Sequence, residues 1–168
     1  VLEKKMGNYD QAIDYFNKAI TIKPDFHKAW FTLGTSYEVD NNLDSAIVKY
    51  IKAIELNPGY TKAYGNLGNI YTLQEDYDSA KDILLTAIQI DPTYADGYLR
   101  LGVVFAQQEL FFEASEQYKK ATEYDEKNHD AWFRYASSLN SIEKFLEASE
   151  AAQKCIDIKV KFGGGWYE

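Results

Sequence analysis

Amide and guanidinium groups recur at matching intervals in this chain: Asn66 and Asn69, then Arg100 and Arg134, the two arginines 34 residues apart. An asparagine amide donates and accepts at once, so it pairs with a peptide N–H and C=O together, whereas an arginine fork grips a carboxylate. Other chemically capable residues are scattered. His27 and His129 are 102 residues apart and make no metal site together, and the single Cys155 builds neither a disulfide within the chain nor a thiolate site. Asp40, Asn42 and Asp44 begin like a calcium loop, but Ser45 replaces the glycine such a loop needs and Ile51 replaces the closing glutamate. Gly163-Gly164-Gly165 is followed by Trp166 and not by a phosphate-binding lysine. No nucleophile with its base, no enclosed carboxylate pair and no metal cluster can be assembled, which predicts binding chemistry, no cofactor and no catalysis.

The elements that position these groups follow from periodicity. Between Ala29 and Pro58, Trp30, Leu33 and Tyr37 share one face of a first helix, and Leu43, Ala46, Ile47, Tyr50, Ala53 and Ile54 share one face of a second. Gly34 and Ala46 are small enough for the two backbones to approach, and Asn57-Pro58-Gly59 ends the pair. The same spacing returns in frames beginning at 27, 61, 95 and 129. The second frame carries Tyr64, Leu67-Gly68, Tyr71, Ala80, Leu84, Ala87 and Pro92; the third carries Tyr98, Leu101-Gly102, Phe105, Ala114, Tyr118 and Ala121, with Glu126 in the proline's place. The fourth, Trp132, Tyr135-Ala136, Leu139, Ala148, Ala152, Cys155 and Val160, is the most degenerate, and Cys155 stands where a small buried residue belongs.

Residues 1–26 read as a partial repeat. It has the tail of a first helix over Val1 to Met6 and a second helix from about Asn8 to Ile22, with Ala12, Phe16, Ala19 and Pro24 in register. Residues 163–168 read as the start of another repeat, Trp166 returning the signature aromatic at its fourth place. Both ends are therefore expected to present faces that a neighbour would cover, and copies of the chain to associate end to end.

This pattern, W-x2-L-G-x2-Y followed by A-x3-aromatic-x2-A and proline, resembles the tetratricopeptide repeat over nearly the whole chain. The resemblance implies an all-α fold, an α-solenoid in the form of a right-handed superhelix, with first helices lining a concave groove and second helices on the convex side. It also implies a protein-interaction module or adaptor holding a peptide or partner segment in that groove. A substrate-recognition arm of a larger enzyme such as a glycosyltransferase, or a self-assembling scaffold, is the alternative. Groove rows then follow from frame position, counting places from the first residue of each frame. Place two holds Lys28, Lys62, Asp96 and Asp130; place five Phe31, Gly65, Leu99 and Phe133; place six Thr32, Asn66, Arg100 and Arg134; place nine Thr35, Asn69, Val103 and Ser137. Of these, Asn66, Asn69, Arg100, Arg134, Lys62, Thr32, Phe31 and Phe133 are the expected partner-binding residues, for a ligand of acidic character. The carboxylate clamp of co-chaperone members is matched at Asn69 and Arg134, while Gly65 departs from it and Asp130 would repel a carboxylate. Gly65-Asn66-Leu67-Gly68-Asn69 resembles one rung of the asparagine ladder of O-linked N-acetylglucosamine transferase.

Composition narrows the partners. The chain has 168 residues, 46% of them apolar, and a net charge of −8, with a pI near 4.8. So acidic a surface is a poor match for nucleic-acid phosphates or anionic membranes. The longest apolar run, near Leu101 to Ala106, is too short to enter a bilayer as a span. A soluble chain follows, its compartment open with a lean to the cytoplasm. Most of the 14 tyrosines fall on signature places and are expected in the core.

Overall fold

The computed structural model describes residues 13–163, with side chains to 160. Among them the only regular elements are helices. The expected first-helix tail at Val1 to Met6, the beginning of the next helix from Asn8, and the repeat start at Gly164 to Trp166 lie outside the described residues. Two compact units divide the chain, Val1–Asp76 and Tyr77–Glu168. The first contains α1 (13–22), α2 (His27–Val39), α3 (Leu43–Leu56) and α4 (Thr61–Leu73). The second contains α5 (Tyr77–Ile90), α6 (Ala95–Gln107), α7 (Phe111–Tyr124), α8 (His129–Ser141) and α9 (Phe145–Gly163). First helices of the frames are thus α2, α4, α6 and α8, and second helices α3, α5, α7 and α9. In the first unit α3 packs on α2 and α4; in the second α6 packs on α5 and α7, and α8 on α7 and α9.

Within each frame the turn between the two helices is built the same way. Asn41, Glu75, Glu109 and Glu143 all take the left-handed conformation, with φ between 59° and 61°. The next residue then sends its N–H back five positions, as in Asn42 to the Tyr37 carbonyl at 2.8 Å and Leu110 to the Phe105 carbonyl at 3.0 Å, closing a Schellman-type cap. None of the four is glycine. Asn42 then caps α3 by accepting from the Ser45 N–H at 3.2 Å, so the Asp40–Asp44 segment is a helix-to-helix turn.

Turns from one frame to the next rest on Asx geometry. Asn57, Asp91 and Asp125 each accept, through the side-chain oxygen, the N–H two residues on, at 3.0–3.2 Å. At the corresponding place stands Lys159, which has no acceptor, and α9 passes straight through to Gly163. It is 19 residues long where α3 and α7 are 14. Lys23 holds the same place without an acceptor, but Pro24 follows it and α1 ends; Lys159 is followed by Val160, so neither an Asx oxygen nor a proline stops α9 where sequence periodicity expects a turn.

In the α2–α3 and α6–α7 hairpins the tightest point of the core pairs a glycine of the first helix with a tyrosine of the second. A Cβ on Gly34 would lie 2.7 Å from Tyr50 Cε1, and one on Gly102 2.5 Å from Tyr118 Cε1. Both tyrosines are fully enclosed, at 0% and 2% exposure. In the last frame the pair is Ala136 and Ala152: the small residue on α9 makes room for a methyl group on α8.

Two stability outcomes follow. Gly102→Ala must displace an enclosed ring, so it should destabilise the protein by about 1–2 kcal/mol in urea titration despite alanine's better helix propensity. Glu109→Gly removes the left-handed penalty at an exposed site and should stabilise by about 0.5–1 kcal/mol in the same titration.

Candidate functional site

Each first helix is anchored by the aromatic residue at place four. Trp30 Nε1 donates to the Pro24 carbonyl at 2.8 Å, Tyr64 Oη to Pro58 at 3.1 Å, Tyr98 Oη to Pro92 at 3.2 Å and Trp132 Nε1 to Glu126 at 3.0 Å. The donor explains why this place holds Trp or Tyr and never Phe, a signal present in the sequence that aromaticity alone does not reveal. It fixes the rotation of the helix, and therefore which side chains face outward.

In the first unit, Asn66 is half-buried and its Nδ2 donates to Tyr50 Oη at 3.0 Å, while that hydroxyl reaches Glu38 Oε2. One of its donors is thus spent on joining α4 to α3. Asn69 is half-buried and Lys62 exposed. Thr32 folds its hydroxyl onto the Lys28 carbonyl at 2.8 Å. Phe31 is half-buried, its ring 5.5 Å from Tyr50 and 5.1 Å edge-on to Tyr60, whose other neighbour is His27 at 5.1 Å. The His27 Nε2 and Asn57 Nδ2 lie 3.2 Å apart.

In the second unit, Arg100 Nε bonds Asp96 Oδ2 at 2.7 Å and Arg134 Nε bonds Asp130 Oδ2 at 2.8 Å. Place two holds place six across one helical turn in both. Arg134 also meets the Tyr118 hydroxyl: burial alone would lower the guanidinium's pKa, but Asp130 and Tyr118 more than offset it and hold it above its ordinary value. Burial raises Tyr118 above the usual phenol range, an effect Arg134 opposes. Asn66 and Arg134 therefore play one part, each tying place six of a first helix to the tyrosine of the preceding second helix. Arg100 lacks that partner because the preceding second helix carries Leu84 in that place.

Place two divides the units. Lys28 and Lys62 are exposed and take part in no salt bridge among the described residues, whereas Asp96 and Asp130 neutralise the arginines beside them. Phe133 stands apart from the other place-five residues: it is 63% exposed and shares a groove with Phe145 of α9, itself 62% exposed, while the neighbouring Leu146 is 76% exposed. A groove of about 440 Å³ there is lined by Phe133, Ala136, Asn140, Phe145 and Ala152. Cys155, expected in the core, is half-buried and donates to the His129 carbonyl at 3.2 Å. Among tyrosines expected in the core, Tyr50, Tyr64, Tyr98 and Tyr118 are buried and Tyr37 and Tyr71 half-buried. Among the described residues no group of three or more His, Cys, Asp or Glu side chains is placed to hold a metal, and no helix is long and apolar enough to cross a membrane.

Tetratricopeptide repeat models match residues 1–26, 27–60 and 95–128 and 49–82, and a TPR repeat model matches 68–109. The chain belongs to the tetratricopeptide repeat family. Solved structures agree on its fold. A crystal structure of MamA is 24% identical over 96% of this chain and 95% of its own, with a TM-score of 0.78. MamA 41-end from Desulfovibrio magneticus RS-1 is 16% identical, over 94% and 89%, at 0.76. Pseudomonas aeruginosa pilF is 22% identical, over 91% and 70%, at 0.82. No curated protein sequence matches this chain. At these identities the likeness is one of fold, and it makes this tetratricopeptide protein an all-α solenoid.

Proposed function

We propose that this tetratricopeptide chain is a protein-interaction module whose first helices hold an extended segment of a partner protein, with the frames at 27, 61, 95 and 129 as its repeats. The observation that carries the reading is the contrast at place two. Lys28 and Lys62 are exposed cations without an ion-pair partner among the described residues, so acidic residues of the ligand meet the first unit. Arg100 and Arg134 are matched in charge by Asp96 and Asp130. They offer directed N–H donors instead of net positive charge, and the groups they suit are peptide carbonyls. Asn66, Asn69, Thr32 and Phe31 complete the first unit's surface, and Phe133 adds an apolar contact in the second.

Affinity capture from the source lysate tests this, run with the native chain, a Lys28→Glu, Lys62→Glu variant and an Arg100→Ala, Arg134→Ala variant, each checked for helicity by circular dichroism. Reversing two exposed charges should weaken partner binding about tenfold or more. Partners recovered equally by all three would remove the first helices from consideration.

A second reading, association of copies, is favoured by the exposed Phe133, Phe145 and Leu146 on α8 and α9. Sedimentation should then show mass rising with concentration, and Phe145→Glu with Leu146→Glu should return the protein to a monomer. A concentration-independent monomer before substitution would refute it.

A further inference from the structure

Trp30 and Trp132 occupy the same place in their frames and donate to the same turn carbonyl, at 2.8 Å and 3.0 Å, yet their ring faces differ. Lys49 of α3 lies over the Trp30 ring, Nζ 5.3 Å from its centroid, beside a recess of about 320 Å³. The residue 102 positions later, which would serve Trp132 in the same way, is Ala151. Beside Trp132 lies a recess of about 570 Å³, lined by Trp132, Ile158, Glu123, Glu126 and Asp157. Lys127 and Lys154 also line it, but the cation–ring contacts among the described residues involve only Tyr15, Phe26, Trp30 and Tyr98. Among the described residues no lysine lies over this indole. Neither Glu123, Glu126 nor Asp157 takes part in a salt bridge among the described residues, although Asp157 accepts from Gln153 at 2.8 Å. Carboxylates outnumber ammonium groups three to two around the recess.

The geometry points to this recess as a receptor for an arginine side chain of a partner protein, seated on the Trp132 indole where Lys49 sits on Trp30. A guanidinium is planar, weakly hydrated and suited to stacking on an indole face. The flanking carboxylates supply the acceptors its N–H groups require. The recess is built from α7, α8 and α9 of the second unit alone, and it involves none of the first-helix residues assigned above to the partner segment.

The test follows the indole N–H resonance of Trp132 in isotope-labelled protein, assigned by its loss in Trp132→Phe, during titration with N-acetylarginine amide. N-acetylcitrulline amide, the neutral isostere, is the control. A saturable shift with the arginine compound and none with citrulline is expected. That shift should weaken several-fold in the exposed double variant Glu123→Gln, Asp157→Asn, and should vanish in Ala151→Lys, where the chain supplies its own cation. No shift with arginine, an equal shift with citrulline, or an unchanged titration in the double variant would overturn the proposal. Because Ala151 is only 3% exposed and its replacement by lysine stresses the core, the double variant carries the decision if Ala151→Lys fails to fold.

Discussion

The contact of a first-helix glycine with a second-helix tyrosine sets the scale of the hairpins it joins. With no Cβ on Gly34 or Gly102, the rings of Tyr50 and Tyr118 lie directly against the facing backbone. The helices therefore approach more closely than any larger residue would permit. That approach buries the ring but carries its hydroxyl through the hairpin to the far side, where it must find a partner. Glu38 and Asn66 are partners of Tyr50, and Arg134 is a partner of Tyr118. Where the glycine at place eight faces a tyrosine, a polar requirement thus falls on place six of the following frame, and Asn66 and Arg134 are partly committed to holding neighbouring helices together; where that place carries Leu84, Arg100 has no such partner.

Periodicity was enough to read the helical hairpins and most of the core, because the signature places are chosen by packing, which recurs identically in each repeat. Leu33, Ala46, Ala53, Leu67, Ala80, Leu101 and Ala114 are all buried, as their spacing predicted. What periodicity could not supply was the outcome at places with several solutions. The end of α9 is one: every place from Lys159 onward fits the frame by count, but Lys159-Val160 supplies neither the Asx oxygen nor the proline that stops the other second helices. Cys155 is another, placed by the signature in the core yet half-buried: its counterpart Ala121 is packed with Ala131 of the following first helix, and among the described residues no helix follows α9.

The candidate site was legible by row and not by role. Sequence spacing put Arg100 and Arg134 in one row and Asp96 and Asp130 in another, but whether arginine meets aspartate or ligand depends on side-chain geometry within one helical turn. The structure joins them through Nε. An ion pair between half-exposed groups stabilises by only about 0–1 kcal/mol, so these pairs contribute little to folding. Their larger effect is on recognition: each aspartate cancels the long-range attraction its arginine would exert on an acidic ligand, and leaves a short-range, directional donor in its place.

The same substitution logic applies along the second helices. A repeat protein presents one backbone frame several times, so a residue missing from one copy identifies a function in another more clearly than any residue does alone. Lys49 over Trp30 shows what satisfies the outer face of an indole at place four; Ala151 shows that face left open at Trp132. Of the tyrosines in the two middle copies, Tyr98 carries Lys120 over its ring, Nζ 5.4 Å from the centroid, and Tyr64 is only 6% exposed. At Trp132, beside Glu123, Glu126 and Asp157, a cation from another protein would find both a ring face and acceptors. A guanidinium gives up little hydration on stacking against an indole, so a free arginine compound already gains from the exchange, and a partner that presents the group already oriented, with its entropy cost met by neighbouring contacts, gains more.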